Sequence, residues 1–153
     1  AYVDANPDTL LIITADHETG GLSLGANGVY QWRTEVIRKV KATGRAIAQQ
    51  LRKLENQQDI SKRFTELTGL SLNKAQLHLL LTALKNEDEK IGLGQIVQFI
   101  SEASLTGWTS GGHTAADVPV MAYGKNASEF NGFMDNTAIA KKLIQYIQQT
   151  QPH

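Results

Sequence analysis

Two short segments of the chain carry residue types that commonly bind divalent metal ions. Asp16 and His17 are adjacent, and they lie between the apolar run LLII at residues 10–13 and a pair of glycines. His113 directly follows another pair of glycines, much later in the chain. Carboxylate oxygens and imidazole nitrogens are frequent ligands of zinc. Asp16, His17 and His113 are therefore the candidate metal ligands, although their spacing alone does not identify a site.

The apolar run predicts a short β-strand that ends just before Asp16 and His17. Its residues do not alternate with polar ones, which is typical of a strand covered on both faces. The carboxyl ends of strands are where open α/β sheets hold their ligands. Neighbouring residues of a strand point to opposite faces, so both side chains reach one metal region only where the backbone turns. The glycine pair that follows permits such a turn.

The other titratable residues have simpler structural explanations. His78 lies among leucines of a predicted helix and is interpreted as a packing or surface residue, and His153 belongs to a polar tail, residues 148–153, which we expect to fray. Glu18 could orient His17 through a hydrogen bond without binding the metal itself, but a solvated loop glutamate is the simpler interpretation. Asp117 is expected to cap or turn the chain before a strand, and Asp135 to cap a helix.

Composition excludes several classes of function. The chain has 153 residues, enough for one domain with its own core, and its 15 basic residues balance 15 acidic ones. This balance gives no indication of a nucleic-acid partner or a membrane surface. The absence of cysteine excludes disulfides, thiolate metal sites and a cysteine nucleophile. No apolar run approaches the roughly 20 residues of a membrane span.

Between the two candidate segments, the spacing of apolar residues changes to a helical period. It predicts four helices: one of about 20 residues beginning at Thr34, one from Asp59 to Gly69, one capped by Asn73, and one over residues 93–103. We interpret residues 34–104 as a helical insertion with a small core of its own. Packing as a cap is the simpler role for it, and a substrate-access or partner surface is the alternative.

The flanking residues predict an α/β arrangement. A helix stub at residues 1–6 leads into the first strand, a second strand is expected over residues 118–123, and a final helix follows Asp135. Because a natural protein rarely begins with a helix stub that feeds a buried central strand, we interpret the chain as the C-terminal part of a longer protein.

The two candidate segments also resemble those of a known family. Residues 14–21 (TADHETGG) resemble a metal-binding segment of bacterial alkaline phosphatases, and residues 111–124 (GGHTAADVPVMAYG) resemble that family's later metal-histidine segment, in the same order. The resemblance implies the C-terminal portion of a three-layer α/β/α sandwich with an all-helical insertion. Residues 1–33 would hold the core strand and first metal loop, and residues 105–153 the second strand, second metal loop and final helix.

The resemblance also implies a ligand set. Alkaline phosphatases hold two zinc ions and one magnesium ion. Asp16 and His17 match ligands of the neighbouring zinc ions, with the pair usually assigned to the second zinc, and His113 matches a ligand of the first. Two ions about 3.5–4 Å apart can clamp the attacking and leaving oxygens of a phosphoryl transfer. The resemblance implies a parent that hydrolyses phosphate monoesters in a periplasm or outside the cell, and the family is often homodimeric.

Other parts of the family's site have no counterpart in this sequence. The serine nucleophile, the phosphate-binding arginine and the remaining zinc and magnesium ligands lie upstream in the family, so we assign no catalytic residue here. Ser23, Ser110 and Ser128 lack the nucleophile's context. The chain alone should bind zinc weakly and hydrolyse no phosphate ester without the missing N-terminal part. The alternatives are a related phosphodiesterase or phosphomutase fragment, or a non-catalytic structural or interaction domain.

Overall fold

Helices and one small sheet make up the part of the chain that the computed structural model describes, residues 1–150. The elements run in chain order α1 (Tyr2–Ala5), β1 (Leu10–Ile13), α2 (Thr34–Ile37), α3 (Gly44–Leu51), α4 (Gln57–Thr68), α5 (Lys74–Lys85), α6 (Glu89–Ser104), β2 (Met121–Gly124), a 3₁₀ helix (Ala127–Phe130) and α7 (Asn136–Thr150). The α/β class is confirmed, although helix predominates. The expected polar tail begins inside α7, and its last residues, His153 included, lie outside the described part.

The chain divides into two compact units. The helical unit consists of Thr19–Gly112 and contains α2 to α6. The strand unit consists of Ala1–Glu18 and the chain from His113 onward, and it contains α1, both strands, the 3₁₀ helix and α7. No helix among residues 1–150 is both long enough and apolar enough to cross a bilayer.

The helical unit is built around its own apolar core, as the sequence predicts. Five core side chains are fully buried: Ile47, Leu51, Phe64, Leu80 and Ile96. The rings of Phe64 and Phe99 meet edge to face with centroids 6.3 Å apart, a favourable geometry for aromatic pairs. The apolar residues at helical spacing are therefore sufficient to form a hydrophobic core within this unit.

Helix caps account for most of the boundaries in the helical unit. The Asn56 side chain accepts hydrogen bonds from the backbone N–H groups of residues 58 and 59 at the start of α4, and Asn73 accepts one from Gln76 at the start of α5. Gly69 ends α4 with φ +72°, a left-handed conformation that favours glycine. The prediction for Asn73 and Gly69 is confirmed, but Asn56, not Asp59, caps α4.

The predicted helix of about 20 residues from Thr34 is wrong. The structure has two helices, α2 and α3, separated by residues 38–43. In this gap the Lys41 N–H bonds to the Leu67 carbonyl at 2.8 Å, outside any helix ladder. Thr43 then starts α3 by accepting a hydrogen bond from Ala46 N–H at 3.3 Å. A tertiary backbone bond and a local cap together outweigh the helical period of the apolar residues.

The sheet of the strand unit has two antiparallel strands, with Leu10 opposite Gly124 and Ile13 opposite Met121. The predicted strand at residues 10–13 is confirmed. Its expected burial on both faces is wrong within the described residues, because Leu11 and Ile13 are 42% and 51% exposed. Two strands alone cannot cover both faces of a sheet, which explains the exposure of these apolar side chains.

Candidate metal centre

Strand pairing brings the two candidate segments to the same end of the sheet. Asp16 and His17 follow β1, and His113 precedes β2. Because the antiparallel register pairs the last residue of β1, Ile13, with the first residue of β2, Met121, both segments leave the sheet at that end. The Thr14 hydroxyl adds a cross-link by donating to the Pro119 carbonyl at 3.2 Å.

His17 and His113 lie in direct contact. Their imidazole rings are stacked with centroids 3.4 Å apart and planes inclined by 22°. The lone pairs of an imidazole lie in the plane of the ring, so stacked rings direct their ligand atoms outward at the rims of the stack. Two parallel rings at this spacing suit two neighbouring ions, because ions in two-metal sites stand about 3.5–4 Å apart.

The hydrogen bond at His17 defines its tautomer. Nδ1 of His17 lies 2.7 Å from the backbone carbonyl oxygen of Glu18. A carbonyl oxygen only accepts, so Nδ1 carries the proton in this contact, and the lone pair of the neutral ring is on Nε2. A bond from the second ring nitrogen to a backbone carbonyl is typical of histidines that bind metals.

Asp16 completes a pair of donor atoms with His17. Its Oδ2 lies 3.5 Å from Nε2 of His17, so the two atoms can bind one cation when Nε2 carries no proton. Two electron-pair donors at this distance favour a cation between them. In a tetrahedral site with bonds of about 2.0–2.1 Å, ligand atoms stand roughly 3.4 Å apart. The spacing of Asp16 and His17 therefore fits two ligands of one zinc ion.

The described residues do not provide a complete ligand shell. Within residues 1–150, no group of three or more His, Cys, Asp and Glu side chains is arranged to hold one ion. The carboxylate of Asp16 is 88% exposed. Because a zinc ion takes four ligands, these side chains could supply only part of a shell, and other ligands would have to complete it.

Glu18 departs from its interpretation as a solvated loop residue. Its Oε2 accepts a hydrogen bond from the backbone N–H of Thr114 at 2.8 Å, and a second one from the Thr114 hydroxyl. Both residues are partly buried. Thr114 is a functional candidate that the sequence did not reveal, because a threonine after a histidine has no distinctive spacing.

The remaining candidates have local structural roles. His78 is exposed on α5, in agreement with its prediction as a packing or surface residue. The Ser110 hydroxyl accepts from the Gly112 N–H at 3.2 Å, as a loop serine does. Asp135 caps α7 as predicted, accepting from the backbone N–H of Thr137 at 2.8 Å and from its hydroxyl at 2.6 Å. The hydroxyl bond is the main cause that lowers the pKa of Asp135, and the backbone bond adds to it.

Comparison with known protein families identifies the same relatives as the two segments. The family model described as alkaline phosphatase matches residues 2–149. Alkaline phosphatase 3 of Bacillus subtilis (strain 168) is 38% identical over 147 residues, which are 96% of this chain and 32% of that protein. The alkaline phosphatase of Schizosaccharomyces pombe (strain 972 / ATCC 24843) is 28% identical over 158 residues, 96% of this chain and 29% of that protein.

Solved structures are similar to the chain as well. The crystal structure of a cold-active alkaline phosphatase from the psychrophile Shewanella sp. matches with a TM-score of 0.84 and 38% identity, covering 95% of this chain and 35% of that one. The alkaline phosphatase of Thermus thermophilus matches with a TM-score of 0.66 and 22% identity, over 93% and 34% of the two chains, and this match concerns the fold alone. The chain spans about one third of the length of these relatives.

Proposed function

The chain belongs to the alkaline phosphatase family, and we propose that it is the C-terminal part of a longer, metal-dependent phosphatase that hydrolyses phosphate monoesters. In this proposal Asp16, His17 and His113 are ligands of a two-zinc site. The observation that carries the proposal is the contact between the imidazoles of His17 and His113, with ring centroids 3.4 Å apart. Each histidine comes from one of the two segments that resemble the family's metal loops.

The three proposed ligands of this chain would bind two different ions. His17 and Asp16 would bind the second zinc through Nε2 and Oδ2, the two donor atoms that lie 3.5 Å apart. His113 would bind the first zinc. The Glu18 carbonyl would hold His17 in the tautomer that leaves Nε2 available. When bound, the two ions would stabilise the negative charge on the attacking and leaving oxygens of the phosphoryl group.

Exposed apolar residues support a larger parent fold. In the strand unit, several large apolar side chains are at least half exposed: Tyr2, Ile13, Met121, Tyr123, Phe133, Ile144 and Ile147. Phe133 is 91% exposed. Large apolar side chains exposed in this number often pack against other protein. We propose that the missing N-terminal part covers it and completes a three-layer α/β/α sandwich, into which residues 34–104 are inserted.

Several further properties belong to the same proposal. The missing part would also supply the serine nucleophile and the remaining ligands of the two zinc ions and the magnesium ion. The parent would act in a periplasm or outside the cell, and it would form a homodimer.

The test compares the full-length parent with this chain on a chromogenic phosphate monoester, with zinc and magnesium added. We expect turnover by the parent and no turnover by the chain alone, because the chain lacks the nucleophile. In the parent, His113→Ala should reduce kcat/KM by at least 100-fold, since second-shell changes alone typically cost 10–100-fold at metal sites. His78→Ala, at an exposed position of α5, is the matched control. A parent that hydrolyses only phosphate diesters would contradict the proposal.

A further inference from the structure

We propose that Glu18 is a positioning residue, which fixes the loop that carries His113 against His17. This inference rests on the proposed function, because the residues that it positions are the proposed metal ligands. The sequence allows Glu18 to orient the adjacent His17, but no pattern in it connects Glu18 with Thr114 or with the loop that carries His113.

The contact consists of two hydrogen bonds to one carboxylate oxygen. Oε2 of Glu18 accepts from the Thr114 backbone N–H at 2.8 Å and from the Thr114 hydroxyl. Hydrogen bonds to an ionised carboxylate are shorter and stronger than bonds between neutral groups. Both residues are also partly buried, so water competes less for these bonds than it would at an exposed ion pair.

The same residue also acts on the other histidine. Glu18 follows His17 directly, and its backbone carbonyl receives the Nδ1 proton of that ring at 2.7 Å. Thr114 follows His113 directly. The carbonyl of Glu18 therefore orients one imidazole, and its carboxylate holds the residue next to the other. One residue joins two loops that are 96 positions apart in the chain.

The loop that carries His113 is restrained on both sides of the histidine. Gly111 and Gly112 are exposed, and a Cβ atom added at either would meet no atom within 4 Å. Glycine itself restricts the backbone little, but the Gly112 carbonyl accepts a hydrogen bond from the Gly20 N–H at 2.8 Å. Metal ligands must be held within roughly 0.5 Å of their working geometry. On the other side of His113, the hydrogen bonds from Thr114 to Glu18 supply the restraint.

The experiment uses three variants. Glu18→Ala removes both hydrogen bonds, whereas Glu18→Gln keeps the length of the side chain and one oxygen acceptor and removes its charge. Glu66→Ala is the control, because Glu66 is a half-exposed carboxylate, paired with Arg63 in the helical unit. Far-UV circular dichroism is measured for each variant to establish that its helices are intact.

The first measurement needs no metal. In the isotope-labelled chain, nuclear Overhauser contacts between the ring protons of His17 and His113 report the stack, whose centroids are 3.4 Å apart. We expect these contacts in the wild type and in Glu66→Ala, weakened contacts in Glu18→Gln, and none in Glu18→Ala. Unchanged contacts in Glu18→Ala, or their absence from the wild type, would overturn the inference.

The second measurement is the cobalt(II) affinity of the full-length protein, followed through the visible absorption of the bound ion. Glu18→Ala should weaken binding by about 10–100-fold, the range typical for residues that orient metal ligands. Glu18→Gln should recover at least half of the loss on a logarithmic scale. Equal affinity in Glu18→Ala and the wild type would overturn the inference. A wild type that binds no cobalt contradicts the proposed function instead, and the ring contacts then decide the role of Glu18 by themselves.

Discussion

The helical unit and the strand unit differ in how far their own residues stabilise them. The helical unit buries Ile47, Leu51, Phe64, Leu80 and Ile96 completely, and side chains cap most of its helices. The strand unit has two short strands, and large apolar residues on both of them are exposed. All three proposed metal ligands belong to the strand unit. The candidate metal ligands therefore lie in the unit that buries less of its own apolar surface.

The largest effect expected from this comparison is the loss of Phe64. Its side chain is fully buried in the helical core, so Phe64→Ala should lower the free energy of unfolding by about 3–5 kcal/mol. In the strand unit, Ile13→Ala should cost less than about half of the 2–5 kcal/mol typical of a buried isoleucine, because Ile13 is 51% exposed. Urea denaturation of the chain, followed by circular dichroism, measures both.

The same pair of variants in the full-length parent sharpens the comparison. If the N-terminal part covers the sheet, Ile13→Ala should be more costly in the parent than in the chain, whereas Phe64→Ala should cost the same in both. Leu79→Ala, at a half-exposed position of α5, is the surface control. Equal costs of Ile13→Ala in the two proteins would contradict the proposed covering of the sheet.

Two glycines of the helical unit should respond to alanine with opposite signs. A Cβ atom at Gly44 would lie 2.8 Å from Cδ1 of Leu93 and 3.1 Å from Cγ2 of Val97, so Gly44→Ala should destabilise the unit by about 1–3 kcal/mol through overpacking. Gly94 lies inside α6, and an added Cβ would meet nothing within 4 Å.

Gly94→Ala should therefore stabilise the chain by roughly 0.5–1 kcal/mol, because alanine favours a helix interior over glycine. Thermal unfolding of both variants and of the wild type shows whether each substitution raises or lowers the melting temperature. Equal melting temperatures for the two variants would mean that α3 and α6 do not pack as closely as the Gly44 contacts require.

The sequence predicts the two units unequally well, and the reasons are local. Asn73 and Gly69 mark helix ends because caps act within one turn, and apolar spacing predicts the helical core. The break at residues 38–43 was not predictable, because the Lys41–Leu67 backbone bond joins distant residues. At the candidate site, residue types and the resemblance identified Asp16, His17 and His113. The contact of Glu18 with Thr114 joins residues 96 positions apart, which no local pattern encodes.

A smaller effect on stability is expected when the carboxylate that caps α7, Asp135, is protonated. Hydrogen bonds from Thr137 lower the pKa of Asp135 below 3.8. A carboxyl whose pKa is lowered by folding stabilises the folded state above its unfolded pKa, and this stabilisation is lost as the pH falls through its folded pKa. The protection factor for amide hydrogen exchange in the first turn of α7, which is corrected for the intrinsic pH dependence of exchange, should therefore fall below about pH 4.

Asp135→Asn tests the origin of this pH dependence. Asparagine also caps helices but does not titrate, so the protection factor in the first turn of α7 should no longer depend on pH in that range. The first turn of α5, which the neutral Asn73 caps, is the control within the same molecule. An unchanged pH profile in Asp135→Asn would assign the effect to another group.

The central claim is that Asp16, His17 and His113 hold neighbouring divalent ions. Anomalous diffraction at the zinc edge, from crystals of the full-length protein with zinc bound, tests it most directly. The claim predicts one zinc within about 2.0–2.2 Å of both Nε2 of His17 and a carboxylate oxygen of Asp16. It predicts a second zinc, bound by His113, about 3.5–4 Å from the first. Zinc peaks bound entirely by other residues would contradict the claim.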